Sequence, residues 1–223
     1  MNISVSGSEK RVEELKQCIP DSVNLKILSS PLQEDLAGSE FYFDLNLDES
    51  PERLNTLYSN YRGILVASAV KKSLLDIISE SAAEPSCTLV GMNCLPTFIH
   101  RSVKEFSTID AESNKKVGEL SKSLGWEYEI VDDRCGMVSP RVIFMIINEA
   151  YYTLQEGTAD KAAIDKAMKL GTNYPMGPFE WSEKIGLHNI LQTLEAVHSE
   201  TMDERYKIAP LLRKEAKYRG KQG

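Results

Sequence analysis

The chain has 223 residues, of which 42% are hydrophobic and 26% are charged, and its formal net charge is −7 at pH 7. This length suffices for one large or two small domains, each with a core that can fold unaided. The acidic balance argues against nucleic acid or an anionic membrane surface as a main partner, and no apolar run approaches the roughly 20 residues of a membrane span.

The first half of the chain alternates short strand-like runs with amphipathic patterns of helical period. This order predicts a mostly parallel sheet covered by helices. Strands are predicted at residues 2–6, 23–28, 41–47, 63–68, 88–92 and 127–131. Helices are predicted at residues 9–19, 52–61, 74–82 and 111–124.

The second half, from Pro140 onward, reads as consecutive helices, at residues 142–155, 160–170, 179–185, 187–198 and 204–218. Asp160 is expected to cap one of them, Gly171 to end it in the left-handed conformation, and Pro178 to stand in the first turn of the next. The first helix carries a wider apolar surface than one neighbouring helix requires, formed by Val142, Met145, Ile146, Tyr152 and Leu154. This width predicts burial against a second subunit.

The stretch that joins two of these helices is unlikely by chance: Gly171-Thr172-Asn173-Tyr174-Pro175-Met176-Gly177-Pro178-Phe179-Glu180-Trp181. It follows Asp133-Arg134-Cys135-Gly136-Met137-Val138-Ser139-Pro140-Arg141 and precedes Arg205-Tyr206, Pro210-Leu211-Leu212 and Gly220-Lys221-Gln222-Gly223. In order and spacing these motifs resemble the C-terminal domain of the 3-hydroxyacyl-CoA dehydrogenases. Enzymes of that family oxidise the 3-hydroxyl group of acyl-CoA thioesters with NAD.

The resemblance implies an α/β plus all-α chain. A shortened Rossmann-like, mostly parallel sheet domain is expected at residues 1–132, and a helical C-terminal, dimerisation domain at residues 133–223. It further implies acyl-CoA or another small molecule as ligand, and a homodimer formed through the C-terminal helices.

The residues at the expected dinucleotide turn depart from the family pattern. A Gly-x-Gly-x-x-Gly turn lets the pyrophosphate approach the backbone closely, but here the segment reads Gly7-Ser8-Glu9-Lys10-Arg11-Val12. Only Gly7 and Ser8 are left as candidate cofactor-binding residues, and Glu9 adds a carboxylate where a phosphate would lie. The second strand leads into Ser29-Ser30-Pro31, without the acidic residue that would bind the adenosine ribose. The family therefore implies NAD as cofactor, whereas these residues argue against it.

The catalytic positions differ as well. In the family a histidine after a strand accepts the hydroxyl proton and pairs with a glutamate twelve residues later; here Asn93 stands in the place of the histidine and Glu105 in that of the glutamate. Ser68 is the candidate to replace a substrate-facing serine whose position is held by Val70. His100 offers an alternative base if the loop around it is rearranged.

Two functions from different classes fit these residues. The first is an oxidoreductase of the 3-hydroxyacyl-CoA dehydrogenase type with weak or altered activity; the second is a non-catalytic dimeric binding or scaffold protein derived from that family. A third, an NADP-type reductase of the wider hydroxyacid dehydrogenase group, is disfavoured by the motif at residues 175–180.

The four cysteines and three histidines are scattered, with no Cys-x-x-Cys pair, which predicts neither a metal site nor a disulfide framework. Residues 1–20 lack the basic-then-apolar order of a signal peptide, so a cytoplasmic location is expected.

Overall fold

The computed structural model describes residues 1–82 and 84–219, which form two compact units divided between Met137 and Val138. The motif predicted at residues 220–223 lies outside the described residues. The first unit contains one seven-stranded sheet in the order β2-β1-β3-β4-β5-β6-β7. Its strands are β1 (Asn2–Ser6), β2 (Asn24–Ile27), β3 (Phe41–Asp44), β4 (Ile64–Ser68), β5 (Thr88–Met92), β6 (Val103–Ser107) and β7 (Glu127–Val131). All neighbouring strands are parallel except β5 and β6, which confirms the mostly parallel, Rossmann-like sheet.

Four helices of this unit connect the strands: α1 (Glu9–Lys16), α2 (Arg53–Thr56), α3 (Leu74–Ser81) and α4 (Ala111–Leu124). The helix predicted at residues 9–19 ends earlier, because Ile19 precedes Pro20 and a residue before proline is disfavoured in the helical region. Between β2 and β3 the chain forms only a short 3-10 helix at Gln33–Leu36, in agreement with the shortened domain that the sequence predicts.

The core of the first unit follows from the two-residue period of the strands. Phe41 and Phe43 of β3 point to one face of the sheet, where Val12 and Leu15 of α1 and Val117 of α4 complete a buried apolar cluster. On the other face Tyr42 packs edge-on against Tyr58, with ring centroids 5.4 Å apart. Both faces of β3, a central strand of the sheet, are thus covered.

Strand β6 is missing from the predicted elements. Its sequence, Val103-Lys104-Glu105-Phe106-Ser107, carries two charges in five residues and shows little of the apolar run expected of a buried strand. It pairs antiparallel with β5 through only two residue pairs, Gly91 with Ser107 and Met92 with Phe106. The strand predicted at residues 41–47 also ends at Asp44, and a 3-10 helix at Leu47–Glu49 follows it.

The second unit is helical, with α5 (Ser139–Gln155), α6 (Lys161–Thr172), α7 (Pro178–Ile185), α8 (Leu187–Thr201) and α9 (Pro210–Arg219). Asp160 caps α6 by accepting a hydrogen bond from the Ala163 amide at 2.8 Å, and Pro178 begins α7, as predicted. The prediction for Gly171 is wrong. Helix α6 continues through Thr172, and Asn173, with φ of 56°, adopts the left-handed conformation instead.

The prediction of a single helix at residues 204–218 is also wrong. A 3-10 helix at Glu204–Tyr206 is followed by a separate helix that starts at Pro210. Proline has no amide hydrogen and clashes with the preceding turn inside a helix, but it is well accommodated in the first turn.

The stretch that carries the family resemblance is a helix connection stabilised by one buried carboxylate. Asp165 of α6 is 8% exposed and accepts hydrogen bonds from the amides of Phe179 at 2.8 Å and Glu180 at 3.2 Å, at the start of α7. Gly177 must be glycine for steric reasons, because a Cβ atom there would lie 2.3 Å from Cγ of Asp165. The motif thus fixes how two helices meet.

Candidate functional site

A crevice lies where the carboxyl ends of β1 and β3 separate. Strand β2 extends the sheet on one side of β1 and β3 on the other, so the strand order reverses between β1 and β3. Ligands of open α/β sheets bind outside the strand ends at such a switch point. The crevice has a volume of about 680 Å³, and its lining includes Gly7, Ser8, Ser29, Gln33, Asn46 and Arg53.

The turn after β1 is tightly packed against the end of β3. Gly7 has φ of 154°, and a Cβ atom there would lie 2.7 Å from Cβ of Leu45, so this position requires glycine. The backbone N–H of Ser8 donates to Oδ1 of Asn46 at 2.8 Å. The amide at this turn is therefore already satisfied by a side chain of the protein. Glu9, the first residue of α1, is exposed.

Glu49 connects this turn to two cations. Its carboxylate accepts hydrogen bonds from Asn46 Nδ2 at 2.8 Å, from Arg11 Nη2 at 2.8 Å and from Lys71 Nζ at 2.6 Å. Burial alone would raise the pKa of Glu49, but the charge of Arg11 and the hydrogen bond from Lys71 outweigh burial and lower the pKa to about 2. Burial is the main cause that lowers the pKa of Lys71.

Asp44, at the end of β3, is fully buried beneath the crevice. Its carboxylate accepts a hydrogen bond from Tyr58 Oη at 2.7 Å and pairs with Arg53 at 3.2 Å. Burial raises the pKa of Asp44, although Arg53 and Tyr58 favour its charged form. Arg53 lines the crevice, but its charge is balanced by Asp44.

These residues do not fit the phosphates of a dinucleotide. The first amide of the turn is occupied by Asn46, the two later glycine positions hold Glu9 and Val12, and no Asp or Glu lines the crevice among the described residues. Dinucleotide binding of the usual kind needs a glycine-rich turn whose backbone amides are free to bind the pyrophosphate. It also needs an Asp or Glu that binds the ribose hydroxyl.

The candidate catalytic residues Asn93 and Glu105 lie together. Asn93 follows β5 and is 4% exposed; its Nδ2 donates to Oε2 of Glu105 at 3.1 Å, and its backbone N–H donates to the Glu105 carbonyl at 3.0 Å. Oδ1 of Asn93 accepts a weaker hydrogen bond from the Leu95 amide at 3.4 Å. Strand β6, which the sequence did not predict, supplies the glutamate. The side-chain amide of Asn93 is thus in direct contact with a carboxylate.

Ser68 ends β4, beside β5, and is completely buried. In the described part of the chain its Oγ has no hydrogen-bond partner. Two residues later, the amides of Val70 and Lys71 donate to Oδ2 of Asp48 at 3.0 and 2.9 Å. Ser68 therefore keeps an unused hydroxyl at the same edge of the sheet as Asn93.

His100 lies beside helix α1. Its Nδ1 is 3.3 Å from Oε2 of Glu14, whose carboxylate also accepts hydrogen bonds from the Thr97 amide. His100 is exposed, and its contact with Glu14 draws it toward α1.

Sequence reasoning missed Arg11, Asn46, Glu49 and Lys71. One signal was available, because Arg11 stands one turn before Leu15 on the inward face of α1, and a charged residue on such a face needs a buried partner. Among the described residues no group of three or more histidine, cysteine or acidic side chains could hold a metal ion. None of the helices in residues 1–82 and 84–219 combines the length and apolar character needed to cross a membrane.

Residues 136–222 match the family model of the 3-hydroxyacyl-CoA dehydrogenase C-terminal domain. The chain is 40% identical over 126 residues to a probable 3-hydroxybutyryl-CoA dehydrogenase of Bacillus subtilis, a match that covers 56% of this chain and 44% of the relative. It is 30% identical over 197 residues to a 3-hydroxybutyryl-CoA dehydrogenase of Bradyrhizobium diazoefficiens, with 84% of this chain and 66% of the relative covered. The chain thus spans only part of the length of these relatives.

A crystal structure of (S)-3-hydroxybutyryl-CoA dehydrogenase from Ralstonia eutropha shares the fold. It superposes with a TM-score of 0.67 at 22% identity and covers 96% of this chain and 92% of that chain. The motif-bearing helices, the family-model match and the relatives agree, and the chain belongs to the 3-hydroxyacyl-CoA dehydrogenase family.

Proposed function

We propose that this chain is a 3-hydroxyacyl-CoA dehydrogenase-type protein in which the family's NAD-dependent oxidation of 3-hydroxyacyl-CoA is weak or lost. The supporting observation is the contact of Asn93 Nδ2 with Glu105 Oε2 at 3.1 Å. A carboxylate in this position would orient an imidazole and stabilise its charged form, but here it binds an amide. The arrangement for proton transfer is retained without the group that accepts the proton.

The chemistry of the amide sets the size of the loss. A histidine exchanges protons near neutral pH, whereas an amide has no accessible basic form. Loss of a general base lowers a rate by roughly 10²- to 10⁴-fold. The second Nδ2 hydrogen of Asn93 and the hydroxyl of Ser68 remain as polar groups, but Asn93 is 4% exposed and Ser68 is completely buried, so neither is open to a ligand in this structure.

The test is turnover of acetoacetyl-CoA, followed by NADH oxidation, in the unaltered chain and in Asn93→His. The Bradyrhizobium relative serves as the active reference and Asn93→Gln as the matched control. We expect the unaltered chain and Asn93→Gln to be at least about 10²-fold slower than the reference. A rate for the unaltered chain equal to that of the relative would refute the proposal.

The histidine variant separates the two forms of this proposal. If a weak enzyme lacks only its base, Asn93→His raises turnover by at least about tenfold. If turnover does not rise, the second candidate is favoured, a non-catalytic dimeric binding protein. The occupied Ser8 amide supports that second candidate, because it removes a donor that the cofactor would use.

We also propose a homodimer formed through the C-terminal helices. Val142 of α5 is 56% exposed, and α5 and α6 border an apolar groove of about 400 Å³ lined by Ile146, Ala150, Ala163, Ile164, Ala167 and Met168. Such a surface on an isolated unit favours association. Light scattering should give twice the chain mass, and a monomer at all accessible concentrations would contradict the proposal. A cytoplasmic location is proposed as well, supported by four free thiols that suit a reducing compartment.

A further inference from the structure

We propose that Glu49 is a built-in anion that takes the place of a bound phosphate at the switch point of the sheet. This inference goes beyond the proposed function, because it concerns the charge beside the turn after β1 and does not depend on the identity of residue 93.

The position of the carboxylate follows from a chain of hydrogen bonds. The Ser8 amide, in the turn after β1, donates to Asn46, and Asn46 in turn donates to Glu49; both of these residues follow β3. Lys71, in the loop after β4, donates to the same carboxylate. The hydrogen bonds therefore cross from the end of β1 to the ends of β3 and β4, which is where ligands enter an open α/β sheet.

The donors around Glu49 are those that bind phosphates elsewhere. Phosphate sites combine a guanidinium group, an ammonium group and amides at a turn that leads into a helix. Here Arg11 is 2% exposed and Lys71 is 7% exposed, and both direct their charges at Glu49. Arg11 also donates through Nη1 to the Leu45 carbonyl, which holds α1 against the end of β3. An external anion would have to displace a carboxylate that is already in place.

Removal of the internal anion should therefore create a site for an external one. In Glu49→Ala the carboxylate that Arg11 and Lys71 both contact is gone, while Asp48 stays near Lys71, and space opens beside the two cations. Glu49→Gln removes the negative charge and keeps the length of the side chain. Glu52→Ala is the matched control, since Glu52 is an exposed glutamate in the next turn of the chain.

The experiment titrates inorganic pyrophosphate and, separately, NADH into the four proteins. Binding is followed by calorimetry and by the shift in thermal midpoint, with the fold checked by circular dichroism. We expect the unaltered chain and Glu52→Ala to show no saturable binding up to millimolar ligand. Glu49→Ala should bind pyrophosphate at least about tenfold more tightly than Glu52→Ala does. A change of about tenfold is what one gained charge-assisted hydrogen bond is expected to give. Pyrophosphate should also raise the thermal midpoint of Glu49→Ala, because a ligand that binds only the folded state stabilises it.

Two results would overturn the inference: micromolar binding of NADH or pyrophosphate by the unaltered chain, or binding by Glu49→Ala that is no tighter than that of Glu52→Ala. If Glu49→Ala does not fold even with pyrophosphate present, Glu49→Gln decides the question, because it removes the charge and keeps the acceptor for Arg11 and Lys71. A gain in pyrophosphate affinity by that variant supports the inference, and no gain refutes it. Since binding and not turnover is measured, the result stands apart from the outcome at Asn93.

Discussion

Replacement of Gly177 by alanine tests whether the family motif owes its glycine to packing. Gly177 has φ of −74° and ψ of 162°, a conformation open to any residue, so alanine would meet no backbone strain. Its Cβ atom would instead lie 2.3 Å from both Cγ and Oδ1 of Asp165. Because ordinary contacts are not shorter than about 3.4 Å, Asp165 would have to move by about 1 Å or the connection would have to open.

The magnitude follows from what Asp165 does. Its carboxylate accepts two hydrogen bonds from the first turn of α7, at 2.8 and 3.2 Å. A hydrogen bond to a charged group contributes about 1.5–3 kcal/mol, and overpacking of a core costs about 1–3 kcal/mol. The lower entropy of an unfolded chain with alanine offsets about 0.4–1 kcal/mol of the loss. We expect Gly177→Ala to lower the free energy of unfolding by about 2–4 kcal/mol.

The assay is urea unfolding followed by helical circular dichroism, with Gly171→Ala as the matched control. Gly171 lies inside α6, and a Cβ atom there would have no neighbour within 4 Å. Because alanine favours helix over glycine, Gly171→Ala should raise the free energy of unfolding by about 0.5–1 kcal/mol. If Gly177→Ala lowers the free energy of unfolding and Gly171→Ala raises it, the packing argument is supported. A Gly177→Ala protein within about 0.5 kcal/mol of the unaltered chain would refute it.

Three further predictions concern the first unit. If Asn93→His gains turnover, adding Glu105→Gln should remove at least about tenfold of that gain, measured by NADH oxidation, because the carboxylate orients the imidazole; an unchanged rate would contradict this role. The carboxylate of Glu49, with its pKa lowered from 4.5 to about 2, should stabilise the fold above pH 4.5 and lose that contribution as the pH falls toward 2. The stability difference between the unaltered chain and Glu49→Gln should shrink over that range, and a difference independent of pH would be inconsistent with the ion pairs. Tyr58→Phe removes a hydrogen bond to buried Asp44 and should lower the free energy of unfolding by about 1–3 kcal/mol in urea, whereas no loss would show that the carboxylate is already neutral or otherwise satisfied.

The parallel part of the fold could be predicted because its signals are local. Apolar runs such as Ile64–Ser68 and the capped helix Ala111–Leu124 carry their own period and end signals. Strand β6 could not be predicted in this way. Its residues become a strand only because β5 and β7 lie on either side of them, and Lys104 is buried although it is charged. The formation of this strand and the burial of Lys104 depend on tertiary contacts, which the local sequence of five residues does not reveal.

The candidate site was predicted only in part for the same reason. The resemblance to the family marked Asn93 and Glu105 as candidates, but their contact required the unpredicted strand β6. The network around Glu49 joins Arg11 to Lys71, residues far apart in the chain with no shared motif. The expected obstruction by Glu9 was argued from its sequence position, whereas the structure shows Asn46 at the turn. Contacts of this kind depend on the topology of the sheet. The sequence pattern alone does not show which loops lie close together in space.

The cap that Asp165 forms on α7 has a consequence for how proteins of this family are recognised. The most diagnostic stretch of the chain records a way of joining two helices, and it is far in sequence from Asn93, the residue that we propose stands in the place of the proton acceptor. A working oxidoreductase and an inactive descendant would carry that stretch equally well. A name given on the strength of that stretch therefore reports ancestry, and turnover has to be tested at the site itself.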